Sequence, residues 1–340
     1  MKAFQRAAAL LLMLSLLPLP ARAAFTDVPE SHWAYETVQK AADYKLVSGN
    51  SDGSFGVGQP VTRAQFAKML CMLMDWELVA PEQGSFEDNQ DKSQWYYPYI
   101  ETAYAHGALL KLNESCEPNE PLPREEMAAM TVRALGYATL SGIVQDDCPF
   151  SDATTNRGYI ALAYHMGIIG GIGEGRFAPQ TAAKREQAAA VLVRAYERMR
   201  GSLSERTVLH GEGEAAPENA VWAELISNTD ASIPMHPRAA LESVYDAAIQ
   251  AGKEGAVVLH TAPWAVPVRG NMASQGQAIS AEELQRYLAD SKTKTYRSAR
   301  YESSYLINGR TAVWYESEED IAVKVRLCRM LGVSDVYLAP

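Results

Sequence analysis

The chain has 340 residues, 47% hydrophobic content, four cysteines and a formal net charge of −10. So acidic a chain has no general field that would draw nucleic acid or anionic lipid, and any anion it binds must be held locally by cationic side chains. The length fits about two or three domains.

The first residues read as a secretory signal over 1–23. Lys2 and Arg6 precede an apolar run from Ala7 to Leu17, and Ala21-Arg-Ala23 is a small-x-small cleavage site. That run is too short for a comfortable membrane span, and nothing later replaces it. Loss of Lys2, Arg6 and Arg22 would take the net charge from −10 to −13.

Three copies of one pattern follow, at 24–80, 84–140 and 148–200. Each opens on a Phe-x-Asp triplet, ending at Asp27, Asp88 and Asp152. Each closes on a helix that starts at an arginine: Arg63, Arg124 and Arg185, at equal spacing. In copy one a first helix is expected from His32 to Lys45, carrying Trp33. Gly49-Asn-Ser-Asp-Gly53 then turns the chain. Thr62 and Gln65 form a capping box, and Phe66, Met69, Leu70 and Leu73 line one face of the second helix. Pro123 and Lys184 replace the capping threonine in the other copies. Copy two carries Trp95 but has Leu112-Asn-Glu-Ser-Cys-Glu117 where copy one has its glycines. Copy three lacks the tryptophan, with Tyr159 as its expected substitute. A single helical hairpin cannot bury its own stripe, so the three are expected to close one mainly α body. Cys71 and Cys328 fall on helices. Cys116 and Cys148 fall in polar loops, where both a disulfide and free thiols are open.

This pattern resembles three consecutive S-layer homology (SLH) repeats, the surface-anchoring modules of many Gram-positive-type bacteria. The resemblance covers roughly Phe25 to Arg200. It implies a pseudo-threefold helical bundle whose inter-repeat grooves bind secondary cell-wall polysaccharide, often through its pyruvylated sugar. It also implies a secreted protein at the cell wall, with other surface proteins as further partners. Carried onto this chain, the binding residues are Arg63, Arg124 and Arg185, joined by Asp27, Asp88, Asp152, Trp33 and Trp95. A guanidinium at a helix start grips a carboxylate bidentately, and aromatic faces pack on sugar rings. Capping the first helices is the favoured reading of the aspartates and core packing that of the tryptophans, whereas for the arginines the resemblance favours binding over pairing with the aspartates. Copy one matches best, which puts the groove of Arg63 first.

Residues 201–219 read as a linker rich in Gly, Glu and Ser. Residues 220–340 read as a small α/β region. Helices are expected at Ala239–Ala251, after Ser280 and from Ser317 to Leu331. Strands are expected at Gly255–Leu259, Ala299–Ile307, Thr311–Tyr315 and Val333–Leu338. Ala312-Val-Trp-Tyr-Glu316 and the helix after it resemble the last third of a family-18 (chitinase-like) glycoside hydrolase barrel, over roughly 85 residues. That resemblance implies a partial barrel remnant without its catalysis. The family's Asp-x-x-Asp-x-Asp-x-Glu strand is absent, and about 120 residues fall short of the ~250 that a full barrel takes.

No catalytic residue, metal site or cofactor is assigned. The six histidines show no ligand spacing. Gly170 to Gly175 has no strand before it and no Lys-Ser/Thr after it, so it is no phosphate loop. Glu316, Glu318, Glu319 and Asp320 read as a solvated first turn of a helix. The expected role is anchoring with a non-catalytic tail. A wall-anchored glycan hydrolase or accessory subunit, and an S-layer structural subunit, are the alternatives.

Overall fold

A computed structural model of the protein describes residues 25–200, 207–225, 239–253, 255–269, 272–273, 276–298 and 301–339. The expected signal segment lies outside these residues.

Each repeat supplies two helices: α1 (Tyr35–Asp43) and α2 (Arg63–Met74), α3 (Tyr97–Ala105) and α4 (Arg124–Ala134), α5 (Arg157–His165) and α6 (Arg185–Arg200). The first helices are short and bury one narrow stripe each, Val38/Ala41, Ile100/Ala103 and Ile160/Ala163. The second helices are more deeply set, with Phe66, Leu70, Met127, Met130, Ala188 and Leu192 in the core. The main helix pairs cross between repeats: α3 packs on α2, α5 on α4, and α1 on α6. Each first helix thus covers the second helix of the preceding copy, and the first copy's α1 covers α6 of the last. The expected threefold body forms by exchange between repeats, not from self-contained hairpins.

The seam at the centre is a ring of backbone hydrogen bonds. The Val61 N–H donates to Ala183 O (2.9 Å), Ala183 N–H to Leu122 O (2.8 Å), and Leu122 N–H to Val61 O (2.9 Å). All three side chains are fully buried. The capping box forms at α2, where Thr62 Oγ1 accepts from Gln65 N–H and Gln65 Oε1 accepts from Thr62 N–H. Pro123 gives α4 no side-chain cap. All four cysteines are free thiols, so Cys116 and Cys148 do not pair.

The remainder is α/β. Strands β1 (Val208–His210), β2 (Val221–Trp222), β3 (Ala256–His260) and β10 (Asp335–Ala339) make a parallel sheet in the order β1-β10-β3-β2. Part of the stretch expected as linker is therefore its edge strand. The second sheet is antiparallel. In it β4 (Trp264–Arg269) lies between β5 (Met272–Ala273) and β9 (Thr311–Tyr315), followed by β8 (Ser303–Asn308) and β7 (Lys294–Ser298). Strand β6 (Gln277–Ala278) also pairs with β4. Helix α7 (Leu241–Ala251) lies between β2 and β3, and α8 (Ala281–Ala289) between β6 and β7. Helix α9 (Glu318–Leu331) starts at a Ser317/Asp320 capping box and stops at Gly332 (φ +86°).

The expectation of a barrel remnant is corrected. Among the described residues the strands close no barrel. Strands β8 and β9 are joined by a two-residue turn through Gly309 (φ +58°), which makes them antiparallel neighbours, whereas barrel strands are parallel and need helical crossovers. Strands β4 and β7 were not anticipated, and residues 299–300 of the expected 299–307 strand lie outside the described residues.

Repeats and tail share one apolar core, from Leu70 and Met130 to Val257, Leu327 and Val336. Polar contacts reinforce the junction. Arg326 donates from Nε to Tyr137 Oη (3.2 Å) and from Nη2 to Leu135 O (3.3 Å). Arg198 Nη1 donates to Met330 O (3.1 Å), and Arg329 Nη1 to Met199 O (3.1 Å).

Two of the acids expected in a solvated turn are buried. Glu316 and Lys324 side chains are each 2% exposed and pair at 2.8 Å. Ser303 Oγ donates to the other Glu316 oxygen at 2.8 Å. Asp320 accepts from Ser304 Oγ, Ser317 N–H and Arg297 Nε. Removing one member of such a pair strands a charge in the interior. Glu316→Gln is expected to lower stability by about 3–5 kcal/mol, read from the midpoint of urea unfolding. A loss within experimental scatter would refute the pair's structural role.

Candidate functional site: the grooves between repeats

Each repeat presents a loop between its two helices, and the arginine of the preceding repeat reaches into it. Arg185 serves the loop of repeat one, Arg63 that of repeat two, and Arg124 that of repeat three. The aspartates hold these loops. Asp27 accepts from the N–H groups of Phe55, Gly56 and Val57 (2.6–2.9 Å), Asp88 from Cys116 and Glu117, and Asp152 from Phe177 and Ala178. Among the described residues they cap no helix and pair with no arginine directly. The three loops make the same left-handed step, at Gly56 (φ +89°), Glu117 (φ +51°) and Ala178 (φ +57°). Repeat two therefore keeps the turn without its glycines, because the Asp88 carboxylate holds the two N–H groups in place.

Arg185 and Arg124 are set alike. Arg185 donates from Nε to Phe55 O (2.8 Å) and from Nη2 to Ser48 O (3.3 Å), with its guanidinium over the Phe55 ring at 5.0 Å. Arg124 donates from Nε to Phe177 O (2.9 Å) and from Nη2 to Gly170 O (2.9 Å), over the Phe177 ring at 4.6 Å. Burial pushes both guanidinium groups below their ordinary pKa, opposed by Asp27 and Asp152 respectively. Arg63 is set differently. Cys116 stands where the others have phenylalanine. Arg63 turns Nη1 to Cys116 O (2.8 Å) and Glu117 O (2.9 Å), and its Nε/Nη2 edge to Glu126 (2.9 and 2.8 Å). Burial works against its charge, but the Glu126 carboxylate outweighs it and raises its pKa.

The groove at Arg185 holds a cavity of about 570 Å³, within the range of small-ligand sites. Lys45, Lys68, Asn50, Gln65, Trp95 and Tyr99 line it with Arg185, and no carboxylate does. Lys68 Nζ lies 5.8 Å from the Trp95 ring centre and 5.4 Å from that of Tyr99. The groove at Arg63 is smaller, about 260 Å³, and Glu117, Glu125 and Glu126 share its lining with Arg63 and Arg133. Trp95 is 49% exposed and Trp33 60% exposed, so neither is core. Trp33 borders neither cavity. Tyr159 does not take the tryptophan's place. Counted from its buried Ile160, it matches Tyr99, and Arg133 stacks over it at 4.6 Å. Thr155 stands where the tryptophan would be.

Sequence reasoning missed Lys68 and Glu126. Both were visible by comparing copies at the 61-residue interval, where Lys68 meets Ala129 and Ala190, and Glu126 meets Gln65 and Gln187. Among the described residues no cluster of His, Cys, Asp and Glu is placed to hold a metal ion, and no helix is long and apolar enough to cross a membrane.

Residues 24–67 and 149–189 match the S-layer homology domain. An endoglucanase of Bacillus sp. (strain KSM-635) is 29% identical over 174 residues, 49% of this chain and 18% of that protein. An S-layer protein of Bacillus thuringiensis subsp. finitimus is 32% identical over 111 residues, 33% of this chain and 13% of that protein. A cellulosome-anchoring protein of Acetivibrio thermocellus is 31% identical over 136 residues, 39% of this chain and 30% of that protein. The chain thus spans less than a third of each of these relatives. The matches support a cell-surface protein anchored through S-layer homology repeats. Residues 84–140 fall outside the two stretches that match the domain, yet the backbone ring gives them the same place as the other two copies.

The aspartates carry a pH signature. Burial opposes the charged form at Asp27 and Asp88, but the loop N–H donors outweigh it, and such donors dominate at Asp152, so all three carboxyls lie below their ordinary pKa. A depressed folded pKa gives stability that is fully present above the unfolded value of about 3.9 and is lost as pH falls through the folded value. Unfolding free energy is therefore expected to drop below about pH 4, and less steeply when all three are changed to Asn. Asp27→Asn alone should cost about 1 kcal/mol at pH 7, at the solvent-screened end for charge-assisted bonds. Urea titrations at pH 7, 4 and 3 check this, and identical pH slopes for parent and triple variant would contradict it.

Proposed function

We propose that all three copies are S-layer homology repeats and that the protein docks on an acidic cell-wall polysaccharide, with the groove at Arg185 as the principal site. The observation that carries this reading is the composition of that groove: three cations and two aromatic rings around an open cavity, without a carboxylate, in a chain of strongly negative net charge. Among the described residues Arg185 Nη1 has no hydrogen-bond partner, and it is left for a ligand carboxylate such as that of a pyruvylated sugar. Trp95 offers a ring face to the sugar. The groove of Arg124 is a second site with the same arginine setting, but Ala190 stands there in place of Lys68.

The C-terminal region is read as non-catalytic and as the part displayed toward other surface proteins. Its most enzyme-like acids, Glu316 and Asp320, are buried and bonded within the fold. The relatives that are enzymes by name lend it no activity, since they match about half of this chain.

The test is co-sedimentation with purified wall sacculi, before and after removal of the secondary polysaccharide. Binding is expected to vanish on stripping. Arg185→Ala should weaken it about tenfold or more, the scale of a lost charge-assisted pair, with a smaller loss for Lys68→Ala and for Arg124→Ala. Binding that survives stripping, or that is untouched by Arg185→Ala, would overturn the assignment.

A further inference from the structure

Glu126 occupies Arg63 in the way a ligand carboxylate would. Its two oxygens meet Nε and Nη2 at 2.9 and 2.8 Å, the fork-to-fork geometry of bidentate carboxylate recognition. The Arg63 side chain is 12% exposed and that of Glu126 is 27% exposed, so the pair sits at the wall of the groove and not in the core. The corresponding residues of the other copies are Gln65 and Gln187, which carry no charge. Their side-chain oxygens accept N–H bonds from Thr62 and Lys184, the residues just before α2 and α6. At Glu126 the equivalent N–H does not exist, because Pro123 precedes α4. With no cap to make, the side chain is available to turn to Arg63.

We infer that Glu126 is a built-in carboxylate that closes the groove of Arg63 against acidic sugars, so that this groove is silent while the other grooves bind. The inference rests on the anchoring function proposed above. A glycan carboxylate arriving at Arg63 must displace a partner held in the same molecule at high effective concentration. Glu117, 3.5 Å from Arg63 Nη1, adds like-charge repulsion toward the incoming anion. The pairing sets specificity by a repulsive element, not by a missing contact.

Glu126→Gln restores the residue of the other two copies and frees the Nε/Nη2 edge. The probe is a synthetic oligosaccharide ending in a sugar with a 4,6-pyruvate ketal, titrated into the full chain by calorimetry, with the ketal-free oligosaccharide as control. Stoichiometry is expected to rise by one in Glu126→Gln. The added site should be weaker than the first, because Glu117 and Glu125 remain. The Arg63 Nε–H resonance should shift on titration in the variant and stay still in the parent. Glu126→Ala provides the same opening without an amide, and thermal melts establish that each variant is folded. Unchanged stoichiometry in both folded variants, or an Arg63 shift already present in the parent, would overturn the inference while leaving the anchoring reading intact. Absence of ketal-dependent binding in parent and variants alike would overturn both.

Discussion

Three backbone hydrogen bonds, Val61 to Ala183, Ala183 to Leu122 and Leu122 to Val61, hold everything else in register. Each joins residues far apart in sequence, and each lies just before a helix that begins with an arginine. The ring therefore fixes three helix starts relative to one another before any side chain is considered. Because each arginine sits two residues after its ring member, closing the ring also swings that arginine across to the next repeat's loop. A repeat array of the open kind would leave one arginine and one loop unmatched at its ends. Closure leaves neither.

That exchange is why pattern and partner come apart. The three arginines and three Phe-x-Asp triplets were legible as a repeat, since both kinds of residue are held by backbone groups common to every copy. The best-preserved loop, Gly49 to Gly53, was legible too. Its arginine was not, because Arg185 reaches it from the far end of the module, and sequence proximity pointed instead to Arg63. The aspartates likewise looked able to cap helices, but their acceptor oxygens meet loop N–H groups 25 to 30 residues on. Such distances carry no local signal. In the tail, strand Thr311–Tyr315 and the helix after it were plain from a short apolar run and from the apolar side of the helix that starts at Ser317. The choice between parallel and antiparallel pairing was not. It turned on the two-residue connection at Gly309, and an isolated apolar run says nothing of its neighbours.

The three grooves show how one scaffold carries different chemistry. Their backbones are nearly interchangeable, down to the left-handed step at Gly56, Glu117 and Ala178. Differences in groove chemistry then fall to a few side chains. Phenylalanine or cysteine under the guanidinium decides which edge of the arginine faces outward. Glutamine or glutamate two residues after each helix-start arginine decides whether a negative partner already faces the arginine that reaches in from the neighbouring repeat. Lysine or alanine decides whether the arginine acts alone. The loop aspartates stay the same throughout because they answer to the backbone.

Helix α6 links the groove of Arg185 to the tail. At its N-terminus stands Arg185, in the best-formed groove. At its other end Arg198 bonds Met330 O, and the adjacent Met199 O accepts from Arg329 of the tail. Its 16 residues span about 24 Å. Under the anchoring proposed above, a polymer held in the groove and a load on the tail would act on opposite ends of a single rod. Tension runs parallel to its axial hydrogen bonds, so they bear the force in series. The flanks of α6 are clamped by α1, through Lys40 and Tyr44 on Glu197. Under the same proposal, shear flow over a cell would load this helix along its length.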